Sequence, residues 1–315
     1  MPVISRVAQP AGAYGVKFRT CGQETKVTMY CDFFGFKEKP FTVTPNPHFI
    51  FLSRIHREAY ARLLYGVDSH AGFIALTGEV GTGKTTLLRT LLTQLDPEKY
   101  RSALIFNSCV SAEQLLASIC REFAVEAAEQ TRVGCLDALN TFLIDQNSAG
   151  RTVLLVIDEA QNLEPEVLEQ VRMISNLETE RDKLIQIILA GQPELDVVLK
   201  RHDLRQLNQR ITVHCRLAPM KVDDVTQYIN HRVKVAGSRI PDIFSPAAIR
   251  KIYRFSRGIP RLINVACEQA LVLAWTREAR TISSSMATEI ILELQQNHDR
   301  EGFWHNILRW LFTGK

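Results

Sequence analysis

Short apolar runs alternate along the chain with longer stretches in which apolar residues recur every three or four positions. Short apolar runs bounded by turn residues predict strands, and a spacing of three and four predicts amphipathic helices. The predicted strands are Phe73–Thr77, Ala103–Asn107, Val153–Ile157, Leu184–Ala190 and Ile211–Leu217. The predicted helices between them are Lys84–Leu95, Ser111–Phe123, Leu136–Gln146 and Pro165–Leu177. This alternation predicts an α/β fold, an αβα sandwich around a mainly parallel sheet.

Beyond Pro219 the strand pattern stops, and the sequence predicts a purely helical domain over residues 219–297. Ser245 followed by Pro246 is a typical helix start, because serine caps the first turn and proline fits the first helical position. The predicted helices are Lys221–Val235, Ser245–Phe255, Pro260–Trp275 and Ser284–Gln296.

An aromatic-rich segment, residues 29–72, precedes the first strand. We expect its phenylalanines to pack on the core formed by residues 73–218, because rings at this density need a surface to cover. Ser53 predicts a helix start, and the helix Arg54–Tyr65 is expected to end near Gly66.

Both ends of the chain differ from the regions between them. Residues 1–28 have no sustained periodicity, which predicts a poorly ordered extension; alternatively, translation begins at Met29. Residues 298–315 are a tail whose apolar positions between 303 and 312 predict an amphipathic helix. This helix would make a peripheral contact with a membrane or dock into a partner, and the alternative is that it folds back on the helical domain.

The composition agrees with a folded globular protein. Of 315 residues, 46% are hydrophobic and 23% charged, which excludes a collagen-like, disordered or integral-membrane chain as the whole answer. No apolar run reaches the roughly 18 residues of a membrane span, so we expect a cytoplasmic location, at most peripheral at a membrane. Seven cysteines without a CxxC pair predict buried thiols. A net charge of +4 leaves DNA binding open without indicating it.

The strongest chemical signal follows the first predicted strand. Residues 78–85 fit the pattern GxxxxGK[ST] directly before a helix, which predicts a phosphate-binding loop. Backbone N–H groups and the helix N-terminus would hold the phosphates, Lys84 would reach the β and γ phosphates, and Thr85 would ligate Mg²⁺. The predicted ATP-binding residues are Gly78, Glu79, Val80, Gly81, Thr82, Gly83, Lys84, Thr85 and Thr86.

Two carboxylates, Asp158 and Glu159, end the apolar strand Val153–Ile157. In a parallel sheet this strand end faces the phosphate loop, so Asp158 is predicted to bind nucleotide and Mg²⁺, and Glu159 to activate the attacking water. The alternative is an acidic pair that opens the next helix. The second carboxylate favours ATP hydrolysis over simple nucleotide binding.

Three further side chains are predicted to assist hydrolysis. Gln192, after the strand Leu184–Ala190, would hydrogen-bond the γ-phosphate or water, unless it only forms a turn. Arg210, with Arg205 as second choice, would enter the ATP site of a neighbouring copy as an arginine finger, unless it belongs to a solvated basic face. Arg261, at the start of a predicted lid helix, would reach the γ-phosphate and bind the nucleotide.

These motifs together resemble the AAA+ ATPases, and more narrowly the ExeA/GspA type. The narrower resemblance, over roughly residues 29–290, rests on Met29-Tyr30, Phe33-Phe34-Gly35, Pro40-Phe41, Thr44-Pro45-Asn46-Pro47, residues 77–81, residues 157–163, residues 175–179 and residues 191–195. It implies a P-loop NTPase fold with a helical lid, ATPase activity with ATP and Mg²⁺, and self-assembly into a hexamer-like ring or a filament. It also implies that residues 49–58 pack beside adenine.

The resemblance further implies a role with type II secretion or pilus assembly proteins of a bacterium. Many secretion members continue into a membrane span and a peptidoglycan-binding domain, so the end at Lys315 favours a pilus-type or unlinked ATPase. Related transposon ATPases supply the alternative, a DNA-binding regulator that forms ATP-dependent oligomers on DNA. A third hypothesis is a nucleotide-gated scaffold with negligible hydrolysis.

Overall fold

The computed structural model describes residues 30–42, 47–106, 110–127, 129, 131–177, 183–238, 240 and 242–296. The predicted extension 1–28 and the tail 298–315, with its expected membrane or partner contact at 303–312, lie outside the described residues. No helix among the described residues is long and apolar enough to cross a membrane. The five described cysteines, Cys31, Cys120, Cys135, Cys215 and Cys267, are free and buried, as predicted.

Five parallel strands form one sheet, which confirms the predicted fold class. The strands are β1 (Phe73–Gly78), β2 (Tyr100–Ile105), β3 (Thr152–Ile157), β4 (Ile185–Gly191) and β5 (Ile211–Leu217). Their spatial order is β2-β3-β4-β1-β5. The carboxyl ends of β1, β3 and β4 therefore lie together at one edge, where open α/β sheets bind their ligands.

Helices cover both faces of the sheet and form the C-terminal lid. They are α1 (Cys31–Phe34), α2 (Arg54–Asp68), α3 (Lys84–Gln94), α4 (Ala112–Glu122), α5 (Arg132–Ser148), α6 (Pro165–Ile174), α7 (Glu194–Leu199), α8 (Arg205–Arg210), α9 (Val222–Val235), α10 (Pro246–Ser256), α11 (Pro260–Thr276) and α12 (residues 284–296). Three short 3₁₀ turns lie at Pro47–Phe49, Ala160–Asn162 and His202–Leu204. The predicted caps are present, since the hydroxyls of Ser53 and Ser245 accept hydrogen bonds from His56 N and Ala248 N.

Four predicted elements had wrong boundaries. Helix α6 ends at Ile174 and not at the predicted Leu177. Strand β2 spans Tyr100–Ile105 and not Ala103–Asn107, because this edge strand pairs only with β3 and tolerates the exposed Arg101 at its start. Helix α2 does not end near Gly66. It runs on to Asp68, because Gly66 lets the helix lie close against β1. A Cβ atom on Gly66 would be 2.7 Å from Ile74 Cδ1. Helix α5 begins four residues before the predicted Leu136, capped by Thr131.

One part of the aromatic segment packs on the sheet and the other part packs on the lid. Helix α2 packs on the sheet, in the hydrophobic cluster that contains Ile74 and Leu88. The aromatic rings instead lie in the cluster of the lid: Tyr30, Phe34, Phe36, Phe41 and Phe49. The expectation that they pack on the core therefore needs correcting, because hydrogen bonds such as Lys37 N to Ala236 O (2.7 Å) tie this part of the chain to the lid helices.

Candidate nucleotide-binding site

The loop between β1 and α3 has the backbone shape that a phosphate chain requires. Gly81 and Gly83 have φ angles of +79° and +100°, a region that glycine enters without a Cβ clash. The buried Thr82 hydroxyl donates a hydrogen bond to Glu79 O at 2.8 Å, which closes the turn. Helix α3 begins at Lys84, so its first N–H groups point into the loop, where they favour an anion.

Lys84 is folded into this loop. Its ammonium donates hydrogen bonds to Gly78 O at 2.7 Å and to Glu79 O at 3.2 Å. Burial lowers the pKa of Lys84, and the nearby carboxylates of Glu159 and Asp158 oppose that shift. An incoming phosphate would replace the two carbonyl acceptors and add negative charge beside the buried ammonium.

Thr85 and Asp158 meet across the gap between α3 and β3. The Thr85 hydroxyl donates a hydrogen bond to Asp158 Oδ2 at 2.5 Å, and Asp158 Oδ1 accepts one from Glu159 N at 2.9 Å. Asp158 is only 1% exposed. A hydroxyl and a carboxylate oxygen are hard ligands, so this pair fits Mg²⁺, which binds through one or two protein groups together with phosphates and water.

Glu159 stands beside this pair with its backbone in the left-handed region, at φ +55°. Its Oε2 accepts hydrogen bonds from Gln161 Nε2 at 2.7 Å and from Gln192 Nε2 at 3.3 Å. The structure thus brings the predicted sensor Gln192 to the predicted catalytic carboxylate. The third member of this group, Gln161, was missed as a functional residue, although it lies in a motif that carries the family resemblance.

Arg261 joins the lid to the phosphate loop. Its backbone N donates a hydrogen bond to Gly81 O at 3.3 Å, and its exposed side chain lines the same cavity as the loop. A Cβ atom on Gly81 would lie 2.6 Å from Arg261 Cβ, so the two segments are in direct contact. The start of α11 is therefore placed to respond to a nucleotide in the loop.

Arg210 does not reach the cavity of its own chain. Its Nη1 donates a hydrogen bond to Ser175 Oγ at 3.2 Å, beside the end of α6. The second choice, Arg205, is exposed at the start of α8. Neither arginine meets the other predicted site residues within one chain, and their assignment as an arginine finger stays a prediction.

A cavity of about 350 Å³ lies between the phosphate loop, Glu159 and the lid. The aromatic segment contributes Phe49 and Phe51, and α2 contributes His56. The side chain of His56 links the start of α2 to the phosphate loop. Its Nδ1 lies 2.7 Å from Ser53 Oγ, and its Nε2 lies 3.0 Å from Thr82 O. Burial lowers the pKa of His56, so the neutral ring is favoured there.

The lid wall of the cavity was not predicted from the sequence. Arg232 is buried, donates hydrogen bonds to Pro40 O at 2.5 Å and to the Tyr228 hydroxyl at 2.7 Å, and lies 4.9 Å from the centroid of the Phe49 ring. Tyr228 in turn donates to Asn264 Oδ1 at 2.7 Å. A buried arginine held by aromatic rings leaves no local sequence pattern, because its partners are up to 192 residues away.

Comparisons with known proteins agree with this fold. A family model described as an AAA domain matches residues 67–199. General secretion pathway protein A of Aeromonas hydrophila is 42% identical over 287 residues, which cover 91% of this chain and 52% of that protein. The chain therefore spans about half the length of this relative.

Several solved structures share the fold. The Aeropyrum pernix ORC2 protein has a TM-score of 0.63 and 20% identity, covering 82% of this chain and 72% of that one. Cdc6p from Pyrobaculum aerophilum has a TM-score of 0.59 and 19% identity, covering 75% and 67%. The Thermotoga maritima RuvB Holliday junction branch migration motor has a TM-score of 0.53 and 18% identity, covering 78% and 70%. At these identities the likeness concerns the fold alone.

The fold and the site define a P-loop protein with an AAA+ core and a helical lid. Sequence similarity narrows this class, because the 42% identity extends over nearly the whole chain. The chain belongs to the AAA+ ATPases of the ExeA/GspA type, as its motifs predict.

Proposed function

We propose that this chain binds and hydrolyses Mg·ATP and couples hydrolysis to its own assembly, as a ring or filament, and to the assembly of a secretion or pilus machine. The location would be cytoplasmic, peripheral to the inner membrane of a bacterium. The name of its relative, General secretion pathway protein A, supports the envelope role. Because the chain spans about half of that relative, its partners are proposed and not inherited.

The 2.5 Å hydrogen bond between Thr85 and Asp158, beside Glu159, carries the proposal. The loop N–H groups and Lys84 would bind the phosphates, and Thr85 with Asp158 would hold Mg²⁺, which neutralises charge on the phosphates. Glu159 would orient the attacking water and take its proton. Gln192, 3.3 Å from Glu159, would hydrogen-bond the water or γ-phosphate.

Two arginines would complete the hydrolytic site. Arg261 would contact the γ-phosphate and so link the position of the lid to the state of the nucleotide. Arg210 would approach the site of a neighbouring copy, where a guanidinium stabilises charge in the transition state. The separation of Arg210 from its own cavity supports action between copies.

Hydrolysis and binding of ATP, measured side by side, test this proposal. Glu159→Gln should bind a fluorescent ATP analogue like the wild type and hydrolyse ATP about 100-fold or more slowly, because only the water-activating carboxylate is lost. Lys84→Ala should lose binding as well. Wild-type hydrolysis by Glu159→Gln, or unchanged binding by Lys84→Ala, would contradict the assigned roles.

One surface favours the alternative function, ATP-dependent oligomers on DNA. Arg250 and Arg254 are exposed and lie four residues apart on one face of α10, and the exposed Arg257 follows as the C-cap of the helix. Helix α10 contains no acidic residue. None of the ion pairs among the described residues includes these arginines. The basic residues are scattered along the sequence, and α10 with its C-cap holds three of these arginines.

The salt dependence of DNA binding distinguishes the two functions. If α10 binds the DNA backbone, replacing all three arginines by alanine should reduce the slope of log affinity against log salt by about 2 to 3. The alternative predicts that duplex DNA also raises the ATPase rate. A salt slope that the three substitutions leave unchanged, together with an ATPase rate that DNA does not raise, would favour the envelope function.

A further inference from the structure

We propose that Gln161 is a positioning residue for hydrolysis: its side chain fixes the Glu159 carboxylate to the end of β4. This inference rests on the proposed ATPase function and assigns a role to a residue that neither the phosphate loop nor the acidic pair includes. Gln161 belongs to the 3₁₀ turn Ala160–Asn162, directly after Glu159.

The Gln161 amide makes hydrogen bonds in opposite directions, besides a longer one from its Nε2 to Asn162 Oδ1 at 3.4 Å. Its Nε2 donates to Glu159 Oε2 at 2.7 Å, and its Oε1 accepts from Gln192 N at 3.0 Å. The amide thus bridges the turn after β3 and the first residue beyond β4. An aspartate or asparagine side chain is one methylene shorter, and a glutamate side chain has no donor for the carboxylate.

The end of β4 is shaped to admit this amide. A Cβ atom on Gly191 would lie 2.6 Å from Gln161 Oε1, which is closer than non-bonded atoms approach. Gly191 is buried, so Gln161 could not simply swing away into solvent on that side. A larger residue at position 191 would therefore displace the amide from Gln192 N.

Glu159 needs such support because its own backbone does not fix it. Its φ of +55° is an unfavourable conformation for a residue with a side chain, so surrounding contacts must maintain it. A hydrogen bond from Gln161 directs Oε2, and Gln192 Nε2 reaches the same oxygen at 3.3 Å. These two hydrogen bonds would set in advance the direction in which the carboxylate meets a water at the γ-phosphate.

The consequence is a change in kcat without a change in ATP binding. Gln161→Ala should lower kcat by about 10- to 100-fold, the effect of misplacing a catalytic group by about 1 Å. KM, the affinity for a fluorescent ATP analogue and the melting temperature should stay close to those of the wild type. Gln227→Ala, which removes an exposed glutamine from α9, is the matched control and should leave all four quantities unchanged.

A double-mutant cycle with Gly191 separates positioning from general damage. Gly191→Ala should lower kcat in the wild type by displacing the amide, and should add little in the Gln161→Ala background. Because the new Cβ would also lie 3.0 Å from Leu195 Cδ2, the melting temperature of each variant is recorded. Equal losses of kcat in both backgrounds would assign the effect to Leu195 and overturn the proposal.

The remaining outcomes are equally decisive. Gln161→Ala with the kcat of the wild type, or with a higher kcat, would overturn the positioning role while leaving the proposed ATPase function intact. A wild-type protein whose hydrolysis does not exceed that of Lys84→Ala would overturn the proposed function itself, and the role of Gln161 with it.

Discussion

At the residue scale, buried polar side chains fix the phosphate loop from the side of the aromatic segment. His56 is the clearest case. Because Thr82 O can only accept a hydrogen bond, Nε2 of His56 must carry the proton, and Nδ1 must accept a hydrogen bond from the Ser53 hydroxyl. A second proton would require Nδ1 to become a donor in a buried site. The neutral form of this histidine therefore belongs to the folded state.

This neutral state predicts that acid destabilises the protein. The folded pKa of His56 is below its ordinary value, mainly through burial and against the opposing effects of Thr82 O and Asp224. Near pH 6.5 the unfolded chain then binds more protons, so stability is complete above that pH and falls below it. Below pH 6.5, each further pH unit lowers the contribution of His56 to the free energy of unfolding by at most about 1.4 kcal/mol.

Urea unfolding at pH 8 and pH 5.5 measures this effect. His56→Gln keeps an amide donor for Thr82 O and cannot titrate, so its stability should fall less between the two pH values than that of the wild type. His231 has a pKa shifted in the same direction and remains in both proteins, so a smaller slope is expected and not a flat profile. Identical slopes for both proteins would contradict the assignment.

At the element scale, the turn between α10 and α11 contacts the segment that precedes the first lid helix, α9. The turn between α10 and α11 places Gly258 against Met220, and Met220 N donates a hydrogen bond to Gly258 O at 2.9 Å. Gly258 has φ +81°, and a Cβ atom there would lie 2.0 Å from Met220 O. This contact sets the angle at which α11 brings Arg261 to the phosphate loop.

Gly258→Ala should therefore destabilise the protein by more than about 2 kcal/mol, since it combines an unfavourable φ with a backbone clash. Gly150→Ala is the matched control, because Gly150 has φ +71° and nothing within 4 Å of a Cβ atom. The free energy of unfolding of the control should fall by only about 1 kcal/mol, because only the unfavourable backbone conformation contributes. Equal changes in the free energy of unfolding would show that the contact with Met220 is unimportant.

Elements with a strong local pattern could be predicted from the sequence, and their tertiary partners could not. Strands β1, β3 and β4 were found because each is mainly a short apolar run buried on both faces, although Gln186 interrupts the run in β4. The phosphate loop was found for the same reason, as a local spacing of glycines and lysine. Gln161 and the lid residues Arg232 and Asn264 were missed, because their roles depend on contacts between distant segments.

At the scale of the whole molecule, the nucleotide cavity lies where three bodies meet: the sheet, the lid and the aromatic segment that packs on the lid. The cavity wall lacks an arginine from the end of α8, since Arg210 is bound to Ser175 instead. If Arg210 is the arginine finger of the proposed function, a complete hydrolytic site would need a second copy of the chain.

Mixing two inactive variants tests this requirement. Arg210→Ala keeps its own Glu159, and Glu159→Gln keeps an arginine to offer its neighbour, so random co-assembly in equal amounts should restore about a quarter of the wild-type interfaces. Ser175→Ala is the control, because it removes the same hydrogen bond and keeps the guanidinium. A wild-type rate from Arg210→Ala alone would exclude this arginine as the finger.

The most direct test of the central claim is the steady-state rate of ATP hydrolysis per subunit, measured across protein concentration with Lys84→Ala as the blank. We predict hydrolysis above the blank, with a rate per subunit that rises with concentration as sites are completed between copies. Hydrolysis that is independent of concentration would contradict the shared site. A wild-type rate equal to the blank at every concentration would contradict the assignment of this chain as an ATPase.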